Sequence, residues 1–157
     1  MNTPDGTRPT GDGQGRASQP PAAARVAALV AALAPAARAA SANAHAPYSG
    51  LRVGAALRTA NGAVHAACNV ESASFGLTQC AERNALGTAV AAGVRPGAAD
   101  ALLVYVPGDR PLPPCGACRQ VMRELLATDA VVVACCDTEA VLAWSLEALL
   151  PDAFTGF

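Results

Sequence analysis

The chain has 157 residues, enough for one domain with a sizeable buried core. Hydrophobic residues make up 52% but aromatics only 4%, so that core must be built from Val, Leu and Ala. A formal net charge of -1, with no Lys/Arg-rich run, excludes the electrostatic footprint of a nucleic-acid binder or of an anionic-membrane binder.

Residues 1–21 are rich in Gly, Pro and Thr and have no apolar h-region. They read as a flexible tail, not a signal peptide, ahead of one folded domain over 22–157. A cytoplasmic location is expected, and six cysteines in a reducing compartment suggest metal or catalysis before disulfides. Residues 25–44 carry Val26, Leu29, Val30 and Leu33 at helical spacing. Arg25, Pro35 and Arg38 interrupt this apolar run, and Pro35 should kink or divide the helix. A turn over 45–50 leads into a mostly apolar strand, 51–59. Asn61-Gly62 is a hairpin signal, with 63–70 as the partner strand.

A loop over 71–78 precedes a helix over 80–93, stopped by Gly93. Residues 100–107 form a short apolar run bounded by turns, hence a buried strand. A Pro-rich loop, 108–114, leads to a second helix over 115–127. Residues 130–136 read as another buried strand and 140–145 as a fifth, before "LEALLP" at 146–151. Strands alternating with helices, opened by an antiparallel hairpin, predict an α/β sandwich.

Two stretches carry the chemistry. In "TQCAERNA", Cys80 and Glu82 stand two positions apart. On a regular helix such residues face away from each other, about 200° apart. They converge only where the first is not yet helical, at a helix start. In "PPCGACRQ", Cys115 and Cys118 share one face of a helical turn, again at a helix start. The dipole and free N–H groups of both starts favour thiolate, the zinc-binding form. Three thiolates with an open fourth position form a catalytic zinc arrangement, and Glu82 beside it can move protons of a water there. Three thiolates and one zinc leave a charge of -1. Arg83 and Arg119, each next to a ligand segment, are therefore candidates to hydrogen-bond the sulfurs.

Together "CAERNA" and "PCGACRQ" resemble the zinc-dependent cytidine deaminase family, in its small three-cysteine branch. The likeness extends through "APYSGLRVGAAL", "NVESASFGLTQCAERNA" and "LLPDAF", over roughly residues 25 to 155. It implies a three-layer α/β/α sandwich around a mixed sheet of about five strands. It also implies one Zn2+ per subunit and deamination of cytidine and deoxycytidine to their uridine forms. Zinc-activated water attacks, and Glu82 shuttles the protons. By the same resemblance Asn69 and Glu71 match ribose-holding positions, and the Ala81 backbone a base contact. Phe75 and Phe154 match segments that help close a site, in part a neighbour's, in a homotetramer. Leu51 stands where the family usually has Phe near the pyrimidine, Ser72 replaces a common Asn, and Phe75 a common Tyr. His45 replaces a common aromatic. These departures bear on substrate preference and not on the metal chemistry.

Other readings of the residues stand beside this one. The same zinc chemistry could serve another aminopyrimidine nucleoside, such as blasticidin S. A structural zinc in a binding module would need a fourth ligand, from Cys68, Cys135 or Cys136. A C-x-x-C pair alone could be redox-active. His45 and His65 have no partner at ligand spacing. Polynucleotide deamination fits poorly with the charge and the absence of an aromatic stripe.

Overall fold

The computed structural model describes residues 20–154; most of the expected tail and the final Thr155, Gly156 and Phe157 lie outside them. Five strands form one mixed sheet in the order β2-β1-β3-β4-β5. They are β1 (Gly54–Thr59), β2 (Val64–Cys68), β3 (Ala99–Tyr105), β4 (Leu126–Cys135) and β5 (Val141–Ser145). Only β3 and β4 run parallel; the other three pairings are antiparallel. The hairpin turns at Gly62, whose φ of 87° only glycine adopts readily.

The period of two along each strand divides the core in two. Ala56, Leu103, Val133 and Cys135 face one side, where Leu29, Leu33 and Ala37 of α1 (Ala23–Ser41) cover them. Gly54 of β1 permits the close fit: a Cβ there would come within 1.8 Å of the Ala37 carbonyl oxygen. Ala55, Leu57, Leu102, Val104 and Val132 face the other side. They pack there against α2 (Ala81–Ala91), α3 (Gly116–Leu125) and α4 (Leu146–Leu149). Helices on both faces of a mixed five-stranded sheet make the expected three-layer α/β/α sandwich.

Some boundaries differ from the sequence expectation. α1 runs unbroken through Pro35. Both Pro35 and Ala31, whose carbonyl loses its i+4 donor, are exposed, so water can take the missing bond. By length and composition α1 is apolar enough to cross a membrane, yet Leu29, Leu33 and Ala37 are buried on the sheet. Residues 51–53 lie outside β1: the Asn69 side chain takes Val53 N and the Leu51 carbonyl, Asn69 N bonds the Val53 carbonyl, and Ser49 Oγ accepts Leu51 N. β4 begins four residues early, because Leu126 pairs with Ala99 ahead of a register shift to Ala101 and Val131. α2 ends as expected. Gly93 has φ 91°, and Gly93 N and Val94 N bond back to the carbonyls of Val90 and Ala89.

Past β3, the chain to α3 is fixed at both ends. The Gly108 carbonyl accepts the Asp137 backbone N–H at 3.0 Å, and Gly108 N–H donates to the Asp137 carboxylate at 2.8 Å. Asp137 in turn accepts the Tyr105 hydroxyl at 2.6 Å and pairs with Arg38 of α1 at 3.3 Å. At the other end Arg119 Nε donates to the Pro114 carbonyl at 2.8 Å.

Candidate functional site

The helices α2 and α3 bring their N-termini to one point beside the end of β3. Cys80 caps α2 with φ -71° and ψ 151°, and Cys115 caps α3 with φ -67° and ψ 161°. Both are therefore extended and outside the helix, which lets Cys80 share a site with Glu82. Cys118 lies in the first turn of α3 and is fully buried. The Sγ atoms of Cys80 and Cys115 are 3.8 Å apart, and all three thiols lie within 4.8 Å of one another.

Among the described residues this is the one cluster of three or more His, Cys, Asp or Glu able to hold a metal ion. Glu82 is not part of it, and neither are Cys68, Cys135 and Cys136. Cys135 packs against α1 on the other side of the sheet, and Cys136 lies near Thr138 and the Ala140 carbonyl. Among the described residues no fourth protein ligand of those types joins the three, which is the open arrangement and not the closed structural one.

Electrostatics agree with a cation site. The Cys80 thiol is pulled down to about 5, first by a hydrogen bond from Cys118 and then by Arg83 and Cys115. Cys118 is pushed up in turn by Cys80, by burial and by Glu82. A divalent cation is what stabilises all three as thiolates. Arg83 Nη2 lies 3.8 Å from Cys80 Sγ and donates to the Thr78 carbonyl at 2.8 Å. Its Nε is buried without a partner, a donor left over at the edge of an anionic cluster. The three soft sulfur donors fit zinc. Arg119 is placed differently from the expectation: it bonds the carbonyls of Pro114 and Leu149, not a sulfur. It thereby ties the start of α3 to α4.

Glu82, in the first turn of α2, is 5% exposed. Burial is the main cause that raises its carboxyl above the usual range, and the Cys80 charge adds to it. Such a group holds a proton more readily than an ordinary carboxyl. It borders a cavity of about 250 Å3 with Cys80, Cys115, Ala81, Asn69, Glu71 and Leu51.

The remaining expected residues divide. Asn69 is buried, accepts Val53 N at 2.8 Å and donates to the Leu51 carbonyl at 2.9 Å. Glu71 accepts the backbone N–H groups of Tyr48 and Ser49 and the Ser49 hydroxyl, which hold its carboxyl below the usual range. Phe75 lies outside that cavity, 74% exposed, with its ring edge-on to Tyr48 at 5.9 Å. Phe154 is exposed too, and its carbonyl accepts Gln120 Nε2 at 2.7 Å.

Sequence reasoning missed Ser49, Thr78, Leu112 and Pro113 on the cavity wall. It also missed Asn84, whose Nδ2 donates to the Cys68 carbonyl at 2.9 Å and so fixes α2 to the end of β2. The position of Asn84, two residues past Glu82 in the same first turn, was the available signal.

Residues 29–135 match the family described as the cytidine and deoxycytidylate deaminase zinc-binding region. A cytidine deaminase of Halalkalibacterium halodurans is 46% identical over 114 residues, covering 71% of this chain and 83% of that protein. The crystal structure of cytidine deaminase from Burkholderia pseudomallei aligns with a TM-score of 0.74 and 50% identity, covering 82% of this chain and 98% of that one. That from Mycobacterium tuberculosis aligns with a TM-score of 0.65 and 36% identity, over 79% and 95% of the two chains.

Proposed function

Since the chain belongs to the cytidine and deoxycytidylate deaminase family, we propose that it catalyses hydrolytic deamination of cytidine and deoxycytidine in pyrimidine salvage. The observation that carries the reading is a buried carboxyl, Glu82, outside a three-thiol set and facing the same cavity. A binding module would have no use for a proton carrier there.

In this reading Cys80, Cys115 and Cys118 hold the zinc. When bound, zinc supplies a Lewis acid that brings a water's pKa down towards about 7. Glu82 accepts a proton from the attacking water and delivers it to the ring nitrogen N3. It then moves a second proton to the amino group as the C4–N bond breaks. The C4–O bond that forms comes from water, and the products are uridine and ammonia. Arg83 offsets the thiolate charge. Ala81 offers its backbone to the base, Leu51 forms the wall beside it, and Asn69 and Glu71 hold the sugar.

The enzyme is cytoplasmic in this reading and acts as a homotetramer. The exposed Phe75, Leu77 and Tyr48 support that assembly, since large apolar residues clustered beside a site are more often covered than left in water. Phe75 and Phe154 would then serve a neighbour's cavity. Light scattering on the purified protein should give four chains, and a monomer at micromolar concentration would refute the assembly.

The activity is tested by ammonia release from cytidine by the zinc-loaded protein, beside Glu82→Gln at matched zinc content. Release by the parent and a loss of about 10^2–10^4-fold in the variant are expected. Undiminished release by the variant would remove the role given to Glu82. No release by the parent with zinc bound would remove the substrate.

A further inference from the structure

We propose that Ser49 is a positioning residue for the substrate: its hydroxyl fixes the plane of the Glu71 carboxylate that meets the sugar. The proposal rests on the reading of Glu71 as a sugar ligand. Glu71 follows β2 on a short surface segment, where a glutamate side chain is normally free to rotate. Here three donors from one turn hold it. The backbone N–H groups of Tyr48 and Ser49 both reach Oε2, at 2.8 and 3.2 Å. Only the Ser49 hydroxyl reaches Oε1.

The direction of that hydroxyl is settled by a second bond. Ser49 Oγ accepts the N–H of Leu51 at 3.0 Å, so its single hydrogen is the one given to Glu71. Two donors on Oε2 make a pivot, and a third on Oε1 stops rotation about it. A carboxylate oxygen has two acceptor directions, so Oε1 keeps one for a ligand hydroxyl. Ser49 and Glu71 line the same cavity as Leu51, Asn69 and Cys80. Without the hydroxyl, Glu71 would remain attached to the turn but lose its aim.

The test is steady-state kinetics of Ser49→Ala, Ser49→Thr and Glu71→Gln on the zinc-loaded enzyme. Cytidine is compared with 2′,3′-dideoxycytidine, as substrate or competitive inhibitor. The dideoxy compound has no ring hydroxyl for Glu71 to hold. For Ser49→Ala, KM for cytidine is expected to rise about tenfold with kcat nearly unchanged, the loss of one hydrogen bond to a charged group. The same variant should bind the dideoxy compound almost as the parent does. Ser49 is exposed, so Ser49→Thr has room for its methyl group and should restore KM. Equal losses on both compounds, or no rescue by Thr, would overturn the role of Ser49 while Glu71→Gln stays selective for cytidine. A Glu71→Gln variant that weakens both compounds equally would overturn the premise, and the proposal with it.

Discussion

Each face of the sheet buries an apolar cluster with a cysteine in it, but only one brings several thiols together. On the α1 face a single helix packs the buried side chains of Leu29, Leu33 and Ala37 on the strands. Cys135 there meets mainly apolar neighbours, and burial pushes its thiol up to about 11. On the opposite face α2 and α3 arrive end-on beside the last residues of β3. Cys80 meets two other thiols and Arg83, and its thiol falls to about 5, first through the hydrogen bond from Cys118. Residue type is the same; the difference is that two converging helix starts bring thiols and an arginine to Cys80, whereas Cys135 is buried among apolar side chains.

The largest expected effect separates the two faces directly. Cys118→Ala should lose stoichiometric zinc and all deaminase activity, because two thiols and no replacement ligand remain. Cys135→Ala should keep both and lose only about 1 kcal/mol of stability, read from urea unfolding. A zinc-free Cys135→Ala protein would break the distinction. Next is Gly54→Ala on the α1 side. Its Cβ would collide with the Ala37 carbonyl, so the urea midpoint should fall by the equivalent of about 3 kcal/mol. The molecules that stay folded should still bind zinc, and selective zinc loss in them would join the two faces. The smallest effect sharpens the electrostatic side of the comparison. Arg83→Ala should weaken zinc about tenfold in competition with a chelator. Arg119→Ala, whose guanidinium meets carbonyls, should weaken it less; the reverse order would put charge compensation on Arg119.

Much of this was legible in the sequence because it depends on local patterns. Short apolar runs bounded by turns marked the buried strands, Asn61-Gly62 marked the hairpin, and Gly93 marked the end of α2. The site was legible because two cysteine motifs at helix starts leave few other arrangements for Cys80 and Glu82. What escaped depends on partners distant in the chain. Pro35 does not divide α1, because the lost bond falls on the solvent side. Residues 51–53 left the strand because Asn69, sixteen to eighteen positions later, satisfies them. Arg119 turned away from sulfur because Leu149 lies thirty positions on. Ser49 looked like an ordinary turn residue, since nothing nearby in sequence announces Glu71.

The segment between β3 and α3 offers an engineer a separate control. Its base at Gly108 is clasped by Asp137, its far end at Pro114 by Arg119, and Leu112 and Pro113 between them roof the cavity. The roof is thus a strap with two fixed anchorages, and none of the residues from Arg110 to Pro113 is a thiol or a proton carrier. Under the proposed function, changing those four positions is expected to alter which nucleosides enter while Cys80, Cys115, Cys118 and Glu82 stay in place.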